Sequence, residues 1–334
     1  EAVGEEAMIA ISATSYIAHL LNAGVAETLY RLVDATKQGR RKLFVAADPK
    51  MTSYLKYHVA DVTDGTTEDT PMLWHIPKAG GTSVKHLLGC LGLTQASGLG
   101  EKGALPDSLR VVKVSSGAKY VNVNVATLPG ISNARDLNLI GSGLADAVVT
   151  PLIARASKVL FSTERGHRAR IFTIFRHPVE RAESMFAYLS KAYWEPTYDP
   201  SLANMTIEEY AISVKAESNW MVRMLNDDPP NVDKRHLEVA KLVVKEKIVV
   251  GLMSNMTESV ERFYKLFGWE HGEWNPCEDQ VLFGGGSNSN EHEKLSETSE
   301  GWKLLAARNS MDVELFEYAV KVFEEQKTAL FSNL

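Results

Sequence analysis

From Pro71 onward, short apolar runs of strand length alternate with stretches in which apolar residues return every three or four positions. That alternation predicts an α/β fold, a parallel sheet flanked by helices on both faces. Strands are expected at 72–76, 119–125, 145–150, 171–175 and 248–251. The longest helical periods cover 208–225, 234–247, 254–267 and 311–330. Upstream, Met8, Ile9, Ile17, Leu20, Leu21, Val25, Leu29 and Leu32 recur at helical spacing, which predicts one or two amphipathic helices packing on the main domain. The chain therefore divides into an N-terminal helical extension, 1–69, and a single large domain, 70–330. Arg40-Arg41-Lys42 is a basic corner that reads as a solvated turn, with an acidic partner as the alternative. The glycine- and serine-rich stretch 283–290 is a flexible loop by composition.

With 334 residues and 45% hydrophobic content, the chain can bury a substantial core. A net charge of −6 disfavours a nucleic-acid-binding surface but leaves room for a local basic groove. No apolar stretch approaches the ~20 residues that span a bilayer, so no membrane contact is expected of the chain as given. It begins at Glu1, which fits a trimmed leader or anchor. Cys90 and Cys277 permit at most one internal disulfide and leave the compartment open. Asn204-Met205-Thr206 and Asn255-Met256-Thr257 fit the glycosylation pattern. The nine histidines and two cysteines form no metal-ligand spacing, and no metal is expected.

Two segments about a hundred residues apart carry the candidate chemistry. Trp74-His75-Ile76-Pro77-Lys78-Ala79-Gly80-Gly81-Thr82-Ser83 reads as strand, glycine turn and helix start. Consecutive N–H groups in such a turn converge on one point, and the helix beginning near Thr82 adds its positive end, which makes an anion cradle. The lysine precedes the glycines, the reverse of the GxxxxGK[ST] order of magnesium-dependent nucleotide loops. An ordinary strand-to-helix connection is the competing reading. The second segment, Phe175-Arg176-His177-Pro178-Val179-Glu180-Arg181-Ala182-Glu183-Ser184, follows an apolar run that puts Arg176 at a strand's carboxyl end. With a helix starting near Pro178, Arg181 and Ser184 fall on one face and can share a phosphate with Arg176. Its competing reading pairs the two arginines with Glu180 and Glu183.

Together, in this order, the segments resemble the 5′-phosphosulfate and 3′-phosphate signatures of sulfotransferases that use 3′-phosphoadenosine 5′-phosphosulfate (PAPS). The nearer likeness is to Golgi carbohydrate sulfotransferases, including those acting on glycosaminoglycans. The resemblance covers roughly residues 70–325 and takes in Glu217-Ser218-Asn219-Trp220-Met221-Val222-Arg223, Val249-Val250-Gly251-Leu252 leading to Glu258-Ser259-Val260, and the stretch Asn309 to Tyr318. It implies a P-loop-like sheet, PAPS as donor co-substrate, a hydroxyl acceptor, a glycan or polysaccharide before small alcohols or phenols, and the Golgi lumen or secretory pathway. Lys78 would stabilise the leaving oxygen. Thr82 and Ser83, with the N–H groups of Ala79, Gly80, Gly81 and Thr82, would hold the 5′-phosphosulfate. Arg176, Arg181 and Ser184 would hold the 3′-phosphate. A loop near 283–290 becomes a candidate lid, with disorder as the alternative.

The sequence departs from the family at the general base. Many relatives carry a histidine or glutamate at the end of a strand between the signatures, and Val148-Val149-Thr150-Pro151 offers neither. His167 is the candidate, with Glu164 and His75 behind it. His177 is expected to shape the turn after Arg176. Trp194, Tyr198 and Trp220 are candidates to stack on sugar rings or to fill the core, and Arg223 to grip an acidic sugar or a helix carboxylate. The missing base keeps open a PAPS-binding scaffold that has lost catalysis. A kinase or ATPase should carry the GK[ST] order, which is absent.

Overall fold

The computed structural model describes residues 57–64, 69–98, 105–161, 166–193, 195, 197–270, 272–284 and 294–332. The expectations for 7–33, the basic corner at 40–42, Glu164, Trp194 and most of the 283–290 loop lie outside the described residues. The α/β unit spans Ala47–Leu334. Within it Val59 bridges Ala169 and is fully buried, so residues 57–64 belong to the sheet domain and not to an extension ending at 69.

The described elements run β1 Thr70–Trp74, α1 Gly81–Cys90, β2 Thr94–Ser97, β3 Val111–Lys113, β4 Lys119–Asn124, α2 Leu128–Asp136, β5 Ala147–Thr150, α3 Ile153–Leu160, β6 Ala169–Phe175 and α4 Pro178–Leu189. They continue with α5 Ile207–Ile212, α6 Trp220–Leu225, α7 Lys234–Lys247, β7 Ile248–Leu252, α8 Met256–Phe267, α9 Pro276–Phe283, α10 Glu300–Arg308 and α11 Ser310–Leu330. The sheet has seven strands in the order β3-β4-β2-β5-β1-β6-β7, and all pairings except β3 with β4 are parallel.

Side chains alternate across a strand, and here each face finds its own core. Met72, Trp74, Val148, Ile171, Phe175, Ile248 and Val250 pack with residues of α2, α3, α6, α7 and α11. The intervening Leu73, Ala147, Val149, Phe172, Ile174 and Val249 pack with Val84 and Leu88 of α1 and Phe263 of α8. Helices thus cover both faces, as the near-continuous apolar strands require.

The long helical period at 208–225 resolves into two short helices. Asn219 adopts a left-handed backbone, φ 47°, and its Oδ1 accepts from the N–H groups of Met311 and Asp312. Asp312 in turn accepts from Met221 and Val222, both at 2.9 Å. These four bonds satisfy the starts of α6 and α11 at once. Burial pushes the Asp312 carboxyl up to about 6.

A disulfide joins Cys90, at the end of α1, to Cys277 in α9. It closes a sequence separation of 187 residues. Cys277→Ser is expected to cost about 2–5 kcal/mol of unfolding free energy, read as a lower denaturant midpoint of the oxidised protein.

Candidate functional site

The chain leaves β1 for β2 on one side of the sheet and leaves β6 for β7 on the other, while β1 and β6 are hydrogen-bonded neighbours. Such a reversal opens a crevice between the carboxyl ends of the two strands, where open α/β sheets bind ligands. The two candidate segments leave the sheet at that crevice.

After Trp74 the backbone is held by His75 N–H donating to Thr150 O at 2.9 Å, then by Ile76 N–H to Trp74 O and Ala79 N–H to Ile76 O. Lys78 sits at φ 63° and Gly80 at φ 90°. A left-handed lysine is uncommon and costs energy that its surroundings must supply. Gly80 caps α1 without a side-chain bond, and Ser83 N–H returns to Gly80 O at 3.0 Å. The N–H groups of Gly80 and Gly81 meet no acceptor among the described residues. Ala79 is different: it is fully buried and its N–H closes the turn, so it is withdrawn from the expected set of anion donors. The Thr82 and Ser83 side chains are half-buried on the first turn.

The Arg176 guanidinium donates from Nη1 to Lys78 O at 3.2 Å, and from Nε to Glu180 at 3.0 Å. One arginine therefore spans both segments, while part of the competing reading, the Glu180 pair, is also present. Ser184 is buried on α4, two turns after the helix start that follows Arg176. Arg181 departs from expectation. It is 1% exposed, donates to Glu217 Oε2 at 2.7 Å and lies 5.2 Å from the Trp220 ring, which directs it into the core beneath the crevice instead of toward a phosphate shared with Ser184.

The Lys78 ammonium lies 4.2 Å from the centre of the Tyr188 ring, and the Tyr188 hydroxyl bonds Glu195 Oε1 at 2.5 Å. Burial and the neighbouring Arg176 lower the Lys78 pKa, and Glu195 opposes them. Tyr188 and Glu195 were not among the sequence candidates. Tyr188 lies four positions after Ser184 on the same helix face, but Glu195 carries no local signal.

His167 is removed from the reacting groups. It precedes β6 at the amino end, beside Arg168 and Arg170, which pair with Asp69 at 3.0 and 2.6 Å. The seven-residue strand alone spans about 20 Å, and His167 and Arg176 lie beyond its opposite ends. At the end of β5, Thr150 Oγ1 donates to Val125 O and accepts from Leu152 N–H, so its hydroxyl is consumed by the turn. His177 stacks on Trp302 with ring centres 5.0 Å apart, and burial lowers its pKa. Trp220 stacks on Trp74 in the core, and Arg223 bonds Asp228 and Pro229 O instead of standing free.

The His75 ring covers Gly81, and burial, reinforced by Lys85, pushes its pKa down to about 4. The unfolded chain then binds the proton first, so stability falls as pH drops from about 6.5 to 4. His75→Phe, which keeps a ring over Gly81, is expected to flatten that part of the stability profile by roughly 2–4 kcal/mol, measured by urea titrations at a series of pH values. Asn204 and Asn255 are exposed, and among the described residues no cluster of three acidic, histidine or cysteine side chains stands ready for a metal.

The fold and site define an α/β protein in which a glycine turn and an arginine meet at the sheet's switch point. Compared with known proteins, the chain matches no family model and no curated sequence.

Proposed function

We propose that this protein transfers a sulfuryl group from PAPS to an acceptor hydroxyl, most closely in the manner of carbohydrate sulfotransferases. The observation that carries the reading is the Arg176 bond to the Lys78 carbonyl, which joins the glycine turn and the second basic segment into one crevice. A donor with anionic groups at the 5′ and 3′ positions of its ribose needs two such anchors, and ATP needs one.

In this reading the Gly80 and Gly81 N–H groups, with Thr82 and Ser83, hold the 5′-phosphosulfate, and the free guanidinium edge of Arg176 with the Ser184 hydroxyl holds the 3′-phosphate. The acceptor oxygen attacks sulfur in line and the bridging oxygen leaves as phosphate, its growing charge met by Lys78. The P-loop-like character of the fold belongs to the same reading. The disulfide and the two exposed glycosylation triplets favour a secretory compartment such as the Golgi lumen.

Adenosine 3′,5′-bisphosphate, the desulfated product, is expected to raise the melting temperature, and ATP with magnesium is not. Arg176→Ala should abolish most of that shift, because each charged hydrogen bond lost costs roughly 1.5–3 kcal/mol. Protection by ATP-magnesium alone would overturn the reading. Protection by the bisphosphate without labelled sulfate transfer to any desulfated polysaccharide or phenol favours the scaffold, which the absence of an acid or base at the end of β5 keeps in view.

A further inference from the structure

Lys78 is a half-buried cation with no ion pair among the described residues, although Glu195 lies near enough to act on its charge. The reason is the Tyr188 hydroxyl, which takes Glu195 Oε1 for itself while the Tyr188 ring lies under the ammonium. A direct lysine–carboxylate pair would occupy the N–H groups that an anionic ligand needs. An aromatic face attracts the same charge and consumes none of them. The groups facing Lys78 are Arg176 at the end of β6, itself paired with Glu180, Tyr188 on α4, and Glu195 beyond it.

We propose that Tyr188 and Glu195 are positioning residues for Lys78: the ring seats the ammonium, and the tethered carboxylate keeps it charged while its donors stay open to an anion at the cradle. The proposal rests on the sulfotransferase reading only for what that anion is. Burial and Arg176 both favour the neutral amine, and a neutral amine cannot stabilise a leaving oxygen. Glu195 is the opposing charge, and it acts at a distance because Tyr188 holds it there.

The test follows Lys78 itself. Competitive labelling with trace acetic anhydride from pH 6 to 11, read peptide by peptide in the mass spectrometer, gives the fraction of free amine at Lys78. Glu195→Gln is expected to raise Lys78 reactivity several-fold at pH 8, because the opposing charge that favours the ammonium is gone. Tyr188→Phe keeps the ring and frees the carboxylate to pair with the ammonium directly, so it should lower Lys78 reactivity by more than about twofold. Lys85, whose pKa burial also lowers, should keep its wild-type curve and so verifies the fold. Reactivity of Lys78 within twofold of wild type in both variants overturns the proposal. Adenosine bisphosphate melting shifts on the same samples separate the two ideas. If Lys78 moves but the wild type gains nothing from the bisphosphate, the positioning pair stands and the donor assignment falls. If the bisphosphate protects and Lys78 does not move, the reverse holds.

Discussion

Lys78→Met is expected to slow sulfate transfer about 10²–10³-fold while sparing most of the stabilisation by adenosine bisphosphate. The magnitude is that of removing one preorganised electrostatic contact to a developing charge. In the proposed reading the product's phosphates are held by backbone N–H groups, Ser184 and Arg176, none of which the substitution removes, and Arg176 anchors to the Lys78 carbonyl, which methionine retains. Methionine also keeps an aliphatic stem over the Tyr188 ring. The check is turnover of labelled PAPS with a polysaccharide acceptor alongside a melting curve with product. Turnover within threefold of wild type would remove Lys78 from the leaving oxygen. Loss of both signals together would make the lysine a binding residue only.

Gly81→Ala is the second large effect, and it reaches the site through packing. A Cβ at Gly81 would stand 2.4 Å from His75 Cδ2 and 3.0 Å from Nε2. Either the ring swings away or the first turn of α1 recoils, and recoil carries the Gly81 N–H off its convergence point. Overpacking of this kind costs about 1–3 kcal/mol. The variant is expected to melt several degrees lower and to lose at least tenfold in bisphosphate affinity. His75→Ala in the same chain removes the obstacle and should restore most of both, giving a favourable coupling energy in a double-mutant cycle. Binding that stays weak in the double variant, with stability restored, would place the fault in the helix start and not in the ring.

The features legible in the sequence were those that local pattern encodes. The apolar runs that became β5, β6, β7 and the Met72–Trp74 part of β1 are buried on both faces, so their composition alone marks them as strands of a covered parallel sheet, whereas β4 alternates apolar and polar positions. Lys234–Lys247 kept its predicted bounds because Asp233 caps it and the strand follows at once. β2 escaped notice: Thr94-Gln95-Ala96-Ser97 is mostly polar, yet all four residues are buried between β4 and β5. β3 is a short edge strand with exposed alternating positions. The break between α5 and α6 depends on Asn309 and Asp312, some ninety residues away, which no local period registers. The site divided along the same line. Lys78, the glycines, Arg176 and Ser184 announce themselves by spacing on short segments. His167 stood near Arg176 along the chain but at the wrong end of a strand, and Arg181 shared a helix face with Ser184 yet found a carboxylate below. Tyr188 and Glu195 meet Lys78 only after folding.

Trp74, which ends β1 and feeds the glycine turn, stacks on Trp220 with ring centres 6.1 Å apart and planes 9° from parallel. Two indoles so close couple their electronic transitions, and a coupled pair buried in a chiral core gives a strong near-ultraviolet dichroic band. The molecule thus contains its own optical gauge of the β1–α6 contact, one that needs no label.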